Sequence, residues 1–113
     1  MSKFSKIIDN LFIGCFPDDS DIFEFDLLIN LSRSKGNYRN KGNILHCPLT
    51  YWEMGNVIQI LMILTENIQL ELLNNKKVAI HCRLGIDRTG LLVLAFLARY
   101  KMKPEDAILF IKK

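Results

Sequence analysis

The stretch His81-Cys82-Arg83-Leu84-Gly85-Ile86-Asp87-Arg88-Thr89-Gly90 decides how the rest of the chain is read. An apolar run, Val78-Ala79-Ile80, leads into it, and Leu91-Leu92-Val93-Leu94 leads out. That pattern predicts a short buried strand, a tight turn and the start of a helix. Gly85 lets the backbone bend inside the turn. Successive N–H groups of such a turn can all point inward, and the helix behind adds partial positive charge. Together they form a nest for a tetrahedral oxyanion. Its walls would be Arg83, Leu84, Gly85, Ile86, Asp87 and Arg88, with Arg88 closing a planar, two-pronged grip on two phosphate oxygens. Cys82 lies at the bottom, where the same field favours thiolate. A free cysteine titrates near ~8.5, and sites of this kind bring that to roughly 3.5–7.5. The expectation is a nucleophilic thiolate under a bound phosphate. A buried cysteine at a strand end is common in general, but that plainer reading leaves the glycine and the arginine at these offsets unexplained.

On these residues the stretch resembles the signature of the cysteine-based protein tyrosine phosphatases: His-Cys, five residues, Arg, then Ser or Thr. Leu11-Phe12-Ile13-Gly14 and Leu28-Ile29-Asn30-Leu31 are similar to strands of the dual-specificity branch, so the resemblance runs loosely from about Lys6 to the C-terminus. It implies a hydrolase, a protein phosphatase working through a phosphocysteine intermediate on Cys82 with Arg88 binding phosphate. It implies no metal and no cofactor. Many members of the family continue past the last helix, so a chain stopping at Lys113 is expected to be close to a minimal version.

Whole-chain properties agree with such a domain. The 113 residues suit one domain over 1–113, and half of them are hydrophobic, enough for a core. The net charge of +3 is compatible with an anionic substrate without singling one out. Three cysteines without paired spacing or a secretory leader, one of them a nucleophile, predict a reducing, cytoplasmic setting. The longest apolar run, near Val57–Leu64, is interrupted by Gln59 and is too short to span a bilayer. A monomer is expected.

Taken in order, Ser2–Asn10 reads as a polar lead-in and Leu11–Gly14 as a strand. A loop at Pro17–Asp21 caps a short helix over Ile22–Phe25, and Asp26–Leu31 reads as a central strand. Ser32–Asn43 is a basic polar loop, either a solvated turn or a surface that attracts a phosphorylated partner. Ile44–Leu49 is a strand interrupted late by Pro48. Gly55–Asn74 is a long helix whose Val57, Ile58, Ile60, Leu61, Leu64, Ile68 and Leu72 recur at core spacing. Arg88–Lys101 is a second buried helix, and Pro104-Glu105-Asp106 opens a last one. Strands separated by helices predict an α/β fold: a mostly parallel central sheet flanked by helices, with the phosphate-binding loop between a strand and a helix. The site then lies at the carboxyl end of Val78–His81, where open α/β sheets bind ligands.

One departure from the family pattern bears on mechanism. The usual proton-donating aspartate stands about three residues after a proline like Pro48; here that place is Tyr51, and the nearest carboxylate is Glu53. The other candidate acid is Asp87, preferred here. Myotubularin lipid phosphatases resemble this chain in having Asp-Arg at the places of Asp87 and Arg88, and a carboxyl beside bound phosphate has its charged form disfavoured. Asp87 could equally brace the loop. Thr89 is placed to donate to the cysteine sulfur or simply to start the helix, and His81 to orient the turn.

The leaving group narrows the substrate. A phenol titrates near ~10, far below an alkyl alcohol, so a weakly placed acid costs least for phosphotyrosine and for a phosphoanhydride. The substrate read from this is a phosphorylated protein or peptide. The alternatives are an RNA 5′-triphosphate end or a phosphoinositide, with a non-catalytic phosphate-binding module behind them. The RNA-triphosphatase branch carries a second histidine where Leu84 stands here, and Arg83 after the cysteine is similar to some phosphoinositide phosphatases. Cys15 and Cys47 read as core residues, with a reversible Cys47–Cys82 disulfide expected under peroxide.

Overall fold

The computed structural model describes residues 4–14, 24–32, 43–49, 54–82 and 87–101, with only the backbone of Asp87. Its sheet is built from five strands: β1 (Phe4–Ile8), β2 (Leu11–Gly14), β3 (Leu27–Asn30), β4 (Ile44–His46) and β5 (Val78–His81). Their order across the sheet is β1-β2-β5-β3-β4. β2, β5, β3 and β4 run parallel, and β1 closes one edge antiparallel to β2. This is the mostly parallel sheet expected from the alternation of strands and helices.

β1 differs from the reading of Ser2–Asn10 as a lead-in. Asp9 and Asn10 form a two-residue connection, with Ile8 facing Leu11 across the hairpin and Asn10 at φ 69°. Asparagine tolerates that left-handed backbone, as this kind of turn requires. Ser5 and Lys6 point to solvent, which is why the strand reads as polar.

β5 lies between β2 and β3, and its four residues are buried. Two packed faces explain a continuous apolar run in place of an alternating one. On one face, Leu11, Ile29 and Ile80 pack with Leu64 and Ile68 of α1 (Met54–Leu73) and with Leu92, Val93 and Phe96 of α2 (Asp87–Phe96). On the other, Leu28 and Ala79 meet Phe4, Phe12 and Phe25. Phe25 packs edge-on to Phe4 at 5.0 Å and tilted to Phe12 at 5.4 Å between ring centroids.

α1 ends as its Asn74-Asn75-Lys76 sequence suggests. Asn75 takes the left-handed conformation at φ 58°, the Lys76 N–H donates to the Glu71 carbonyl (3.0 Å) and the Asn75 N–H to that of Leu72 (3.1 Å). That pair of bonds satisfies carbonyls the helix leaves open. The chain then enters β5, where the Lys77 N–H donates to Asp26 Oδ2 (2.8 Å) and the Lys77 carbonyl accepts from Asp26 and Leu27.

Two helix expectations are corrected. Ile58, assigned to the core by its spacing, is 67% exposed. The second helix is not uniform to Lys101: from Leu97 it widens into a π-helical turn. The wide turn keeps Phe96 and Leu97, consecutive in sequence, both fully buried. It also brings Arg99 to α1, where Nη1 donates to the Met62 carbonyl and to Thr65 Oγ1, both at 3.0 Å. The helices expected over Ile22–Phe25 and from Pro104, and most of the basic Ser32–Asn43 loop, lie outside the described residues. No helix among the described residues is long and apolar enough to cross a membrane.

Phe96 is the largest fully buried side chain of the core. Phe96→Ala is expected to cost about 3–5 kcal/mol, and Phe96→Leu well under half of that because most of the volume stays filled. Urea titration of both variants checks the order.

Candidate active site

Gly14, His81, Asn30 and His46 pair in register and form one row across the carboxyl ends of β2, β5, β3 and β4. Cys82 is the next residue after this row on the central strand. Its position is set from both sides, because β5 is paired with β2 and β3, and the Leu31 N–H donates to the His81 carbonyl (2.9 Å). Cys82 is a free thiol, 3% exposed, within the core on the helix side of the sheet.

The helix that follows begins at Asp87. Its N-terminal end carries the partial positive charge of its unpaired N–H groups. Arg88 in its first turn is half-buried and Thr89 is fully buried. Thr89 Oγ1 has no hydrogen-bond partner, and an unserved buried hydroxyl costs about 1–3 kcal/mol. A Cβ added at Gly90 would meet nothing within 4 Å, so this glycine is not required by close packing. Arg83, Leu84, Gly85, Ile86 and Glu53 lie outside the described residues, as does the side chain of Asp87.

Three polar residues that the sequence reading passed over support this end of the sheet. Asn30 Oδ1 accepts from the Ser32 N–H (2.9 Å) and the Ser32 hydroxyl (2.6 Å), folding the chain over as it leaves β3. His46 Nε2–H donates to the Ser32 carbonyl (2.7 Å), which places that ring's proton on Nε2. Asn30 and Ser32 are both buried. An asparagine ending an apolar strand, two residues before a serine, is the spacing of a side-chain-closed turn, and that signal was available.

His81 is fully buried, and its pKa is pushed down to about 4, first by burial and then by His46 nearby. The imidazole is therefore neutral at neutral pH. It can exchange hydrogen bonds at the strand end without adding charge there.

The expected Cys47–Cys82 disulfide does not fit. β3 stands between β4 and β5. Two strand spacings separate the chain at Cys47 from Cys82 by roughly 10 Å, beyond the usual ~4.4–6.8 Å between bridged Cα atoms. Burial also raises the Cys47 pKa, keeping it a thiol. Among the described residues no cluster of three or more His, Cys, Asp or Glu could hold a metal ion.

The His81 shift predicts an acid-sensitive fold. The group titrates from an ordinary value of 6.5 down to about 4 on folding. Between those values the unfolded chain binds more protons, so stability falls as pH falls through 6.5 and levels off below about 4. The span from this one group is about 3 kcal/mol. Denaturant titrations between these limits should show that loss, and His81→Gln should remove this part of the slope. Equal slopes in the two proteins would contradict it.

Comparison with known proteins agrees with this geometry. The family model of the dual specificity phosphatase catalytic domain matches residues 11–113. Over 118 aligned positions the chain is 30% identical to 123R of Invertebrate iridescent virus 6, assigned as a tyrosine phosphatase, covering 96% of this chain and 78% of that protein. The fold is similar to human DUSP28, with TM-score 0.78 and 15% identity over 99% of this chain and 80% of the other. It is also similar to the human tyrosine phosphatase-like serine/threonine/tyrosine-interacting protein, with TM-score 0.80 and 21% identity over 99% and 83%. At those identities the two structures speak for the fold alone. The match over residues 11–113, on a chain that sets its thiol at the end of the central strand, places this protein in the dual-specificity phosphatase family as a cysteine-dependent protein phosphatase.

Proposed function

We propose that the chain hydrolyses phosphotyrosine, and more slowly phosphoserine or phosphothreonine, in phosphorylated proteins through a phosphocysteine on Cys82. The observation that carries this reading is the position of Cys82, one residue beyond the central strand and ahead of the N-terminus of α2 with Arg88 and Thr89 in its first turn. Sγ attacks phosphorus in line, the phosphorus–oxygen bond to the substrate breaks, and the leaving oxygen takes a proton from an acid. Backbone amides of residues 83–88 and the Arg88 guanidinium stabilise the negative charge on the transferring phosphoryl group. Water then attacks phosphorus, the sulfur–phosphorus bond breaks, and inorganic phosphate leaves. The Thr89 hydroxyl, buried without a partner, is the donor that would stabilise the departing thiolate. His81, neutral and buried, is a positioning residue in this scheme. Such a nucleophile needs a reducing compartment.

The proposed acid is Asp87, carried at the first position of α2. Glu53 is its rival, and Tyr51 stands where the family's usual aspartate would be. Hydrolysis of an RNA 5′-triphosphate end or of a phosphoinositide is the second reading. Tyr51 favours the first of these, because a phosphoanhydride leaves without help from an acid, and Asp87-Arg88 favours the second.

pH–rate profiles on p-nitrophenyl phosphate and a phosphotyrosine peptide test the scheme. Cys82→Ser should abolish turnover of both. Arg88→Lys, which loses the two-pronged grip, should lower kcat/KM by about 10²–10³-fold. Asp87→Asn should cost about 10²-fold or more on the peptide and remove the alkaline limb, with a much smaller loss on the nitrophenyl ester. The same pattern from Glu53→Gln instead would move the acid to Glu53. Loss from neither would turn the assignment toward the triphosphate substrate, and wild-type turnover equal to that of Cys82→Ser would defeat it.

A further inference from the structure

All the exposed large hydrophobic side chains among the described residues belong to α1: Ile58 (67% exposed), Met62 (54%), Ile63 (60%), Leu70 (54%) and Leu73 (68%). At 3.6 residues per turn they share an arc of roughly 140° on one side of the helix. The opposite side buries Val57, Leu64 and Ile68. A helix apolar all round is normally covered on every side. The exposed patch is on the order of 500 Å², in the range that marks an interaction site. Residues 54–73 contain no lysine or arginine, so the helix lacks the cationic flanks that hold amphipathic helices on anionic lipid.

The spacing of the patch identifies a partner. A two-fold interface must be self-complementary, each residue meeting its counterpart's complement. With two copies of α1 antiparallel and the axis at Glu66, Met62 of one stands opposite Leu70 of the other, four residues either side of the axis. Ile58 likewise stands opposite Leu73. Apolar residues then meet apolar residues along the contact, and the helix spans about 30 Å. With the intervening Gln59 and Gln69 the face approaches the ~800 Å² per partner of a standard interface. Its one exposed charge, Glu66, falls on the axis and meets its own copy. Arg99, bonded to the Met62 carbonyl and Thr65 hydroxyl, holds a guanidinium in the same turn and offsets that repulsion.

We propose that α1 is the contact face of a homodimer, two copies of this chain pairing antiparallel about Glu66 through Ile58, Met62, Ile63, Leu70 and Leu73, in place of the monomer expected from sequence. Sedimentation equilibrium of the full chain from about 1 to 200 µM, within the range where interfaces of this size associate, tests it. The expected result is a monomer–dimer equilibrium. Met62→Glu and Leu70→Glu should each weaken it at least ~10-fold, while retaining p-nitrophenyl phosphate turnover per chain. Glu66→Gln should tighten it, because it removes the like-charge pair on the axis. Glu66→Cys should form a disulfide-linked dimer under mild oxidation much faster than Lys6→Cys, which lies on an edge strand. Both changes are at exposed positions, so they report even if an apolar-to-acidic variant fails to fold. A wild type that stays monomeric at about 200 µM overturns the proposal. So does a dimer indifferent to these substitutions, whose contact would lie elsewhere.

Discussion

The double pairing of β5 is the constraint on which the rest of the structure depends. Its backbone is bonded to β2 on one side and β3 on the other, and its side chains are buried on both faces. A strand held in four directions cannot slip, since a one-residue shift would exchange its two faces. His81 and Cys82 therefore leave the sheet at one place only. A thiol that must lie in line with a phosphorus atom needs that positional certainty more than it needs any one neighbour.

The carboxyl end of the sheet is also where the fold accepts buried polarity. Asn30, Ser32, His81 and Thr89 are all buried within a few residues of the strand ends. Asn30 and Ser32 settle one another, and His46 settles the Ser32 carbonyl. His81 meets burial by remaining neutral. A neutral, hydrogen-bonded row costs far less beneath the site than a charged one would. It also leaves the anion-attracting charge to Arg88 and to the N-terminus of α2, on the side where phosphate would sit.

Packing between the helices ties the start of α2 to the rest of the core. Leu92, Val93 and Phe96 seat α2 against α1 and the sheet. The π-helical turn beyond it lets Arg99 reach across to the Met62 carbonyl, with the guanidinium 4.9 Å from the Tyr100 ring centre. The helix carrying Arg88 and Thr89 is thus held at both ends: by the strand before it, and by α1 at the far turn. α1 in turn spends only one side of its apolar surface on this task.

The chemistry was legible in the sequence. Cys82, Gly85, Arg88 and Thr89 are close along the chain, and a strand, a turn and a helix in succession present them at offsets that local geometry dictates. The helix ending at Asn75 and the strand at Val78–His81 were legible for the same reason, since caps and periodicity act over a few residues. Tertiary structure decided whatever depends on which distant segments meet. It placed β3 between β4 and β5, and so put Cys47 out of reach of Cys82. It gathered His46, Asn30 and Ser32 beside His81, and it widened the end of α2 so that Arg99 could bond to α1. It also left Ile58 in solvent, because periodicity reports that a face is apolar and says nothing of whether the fold brings anything to cover it.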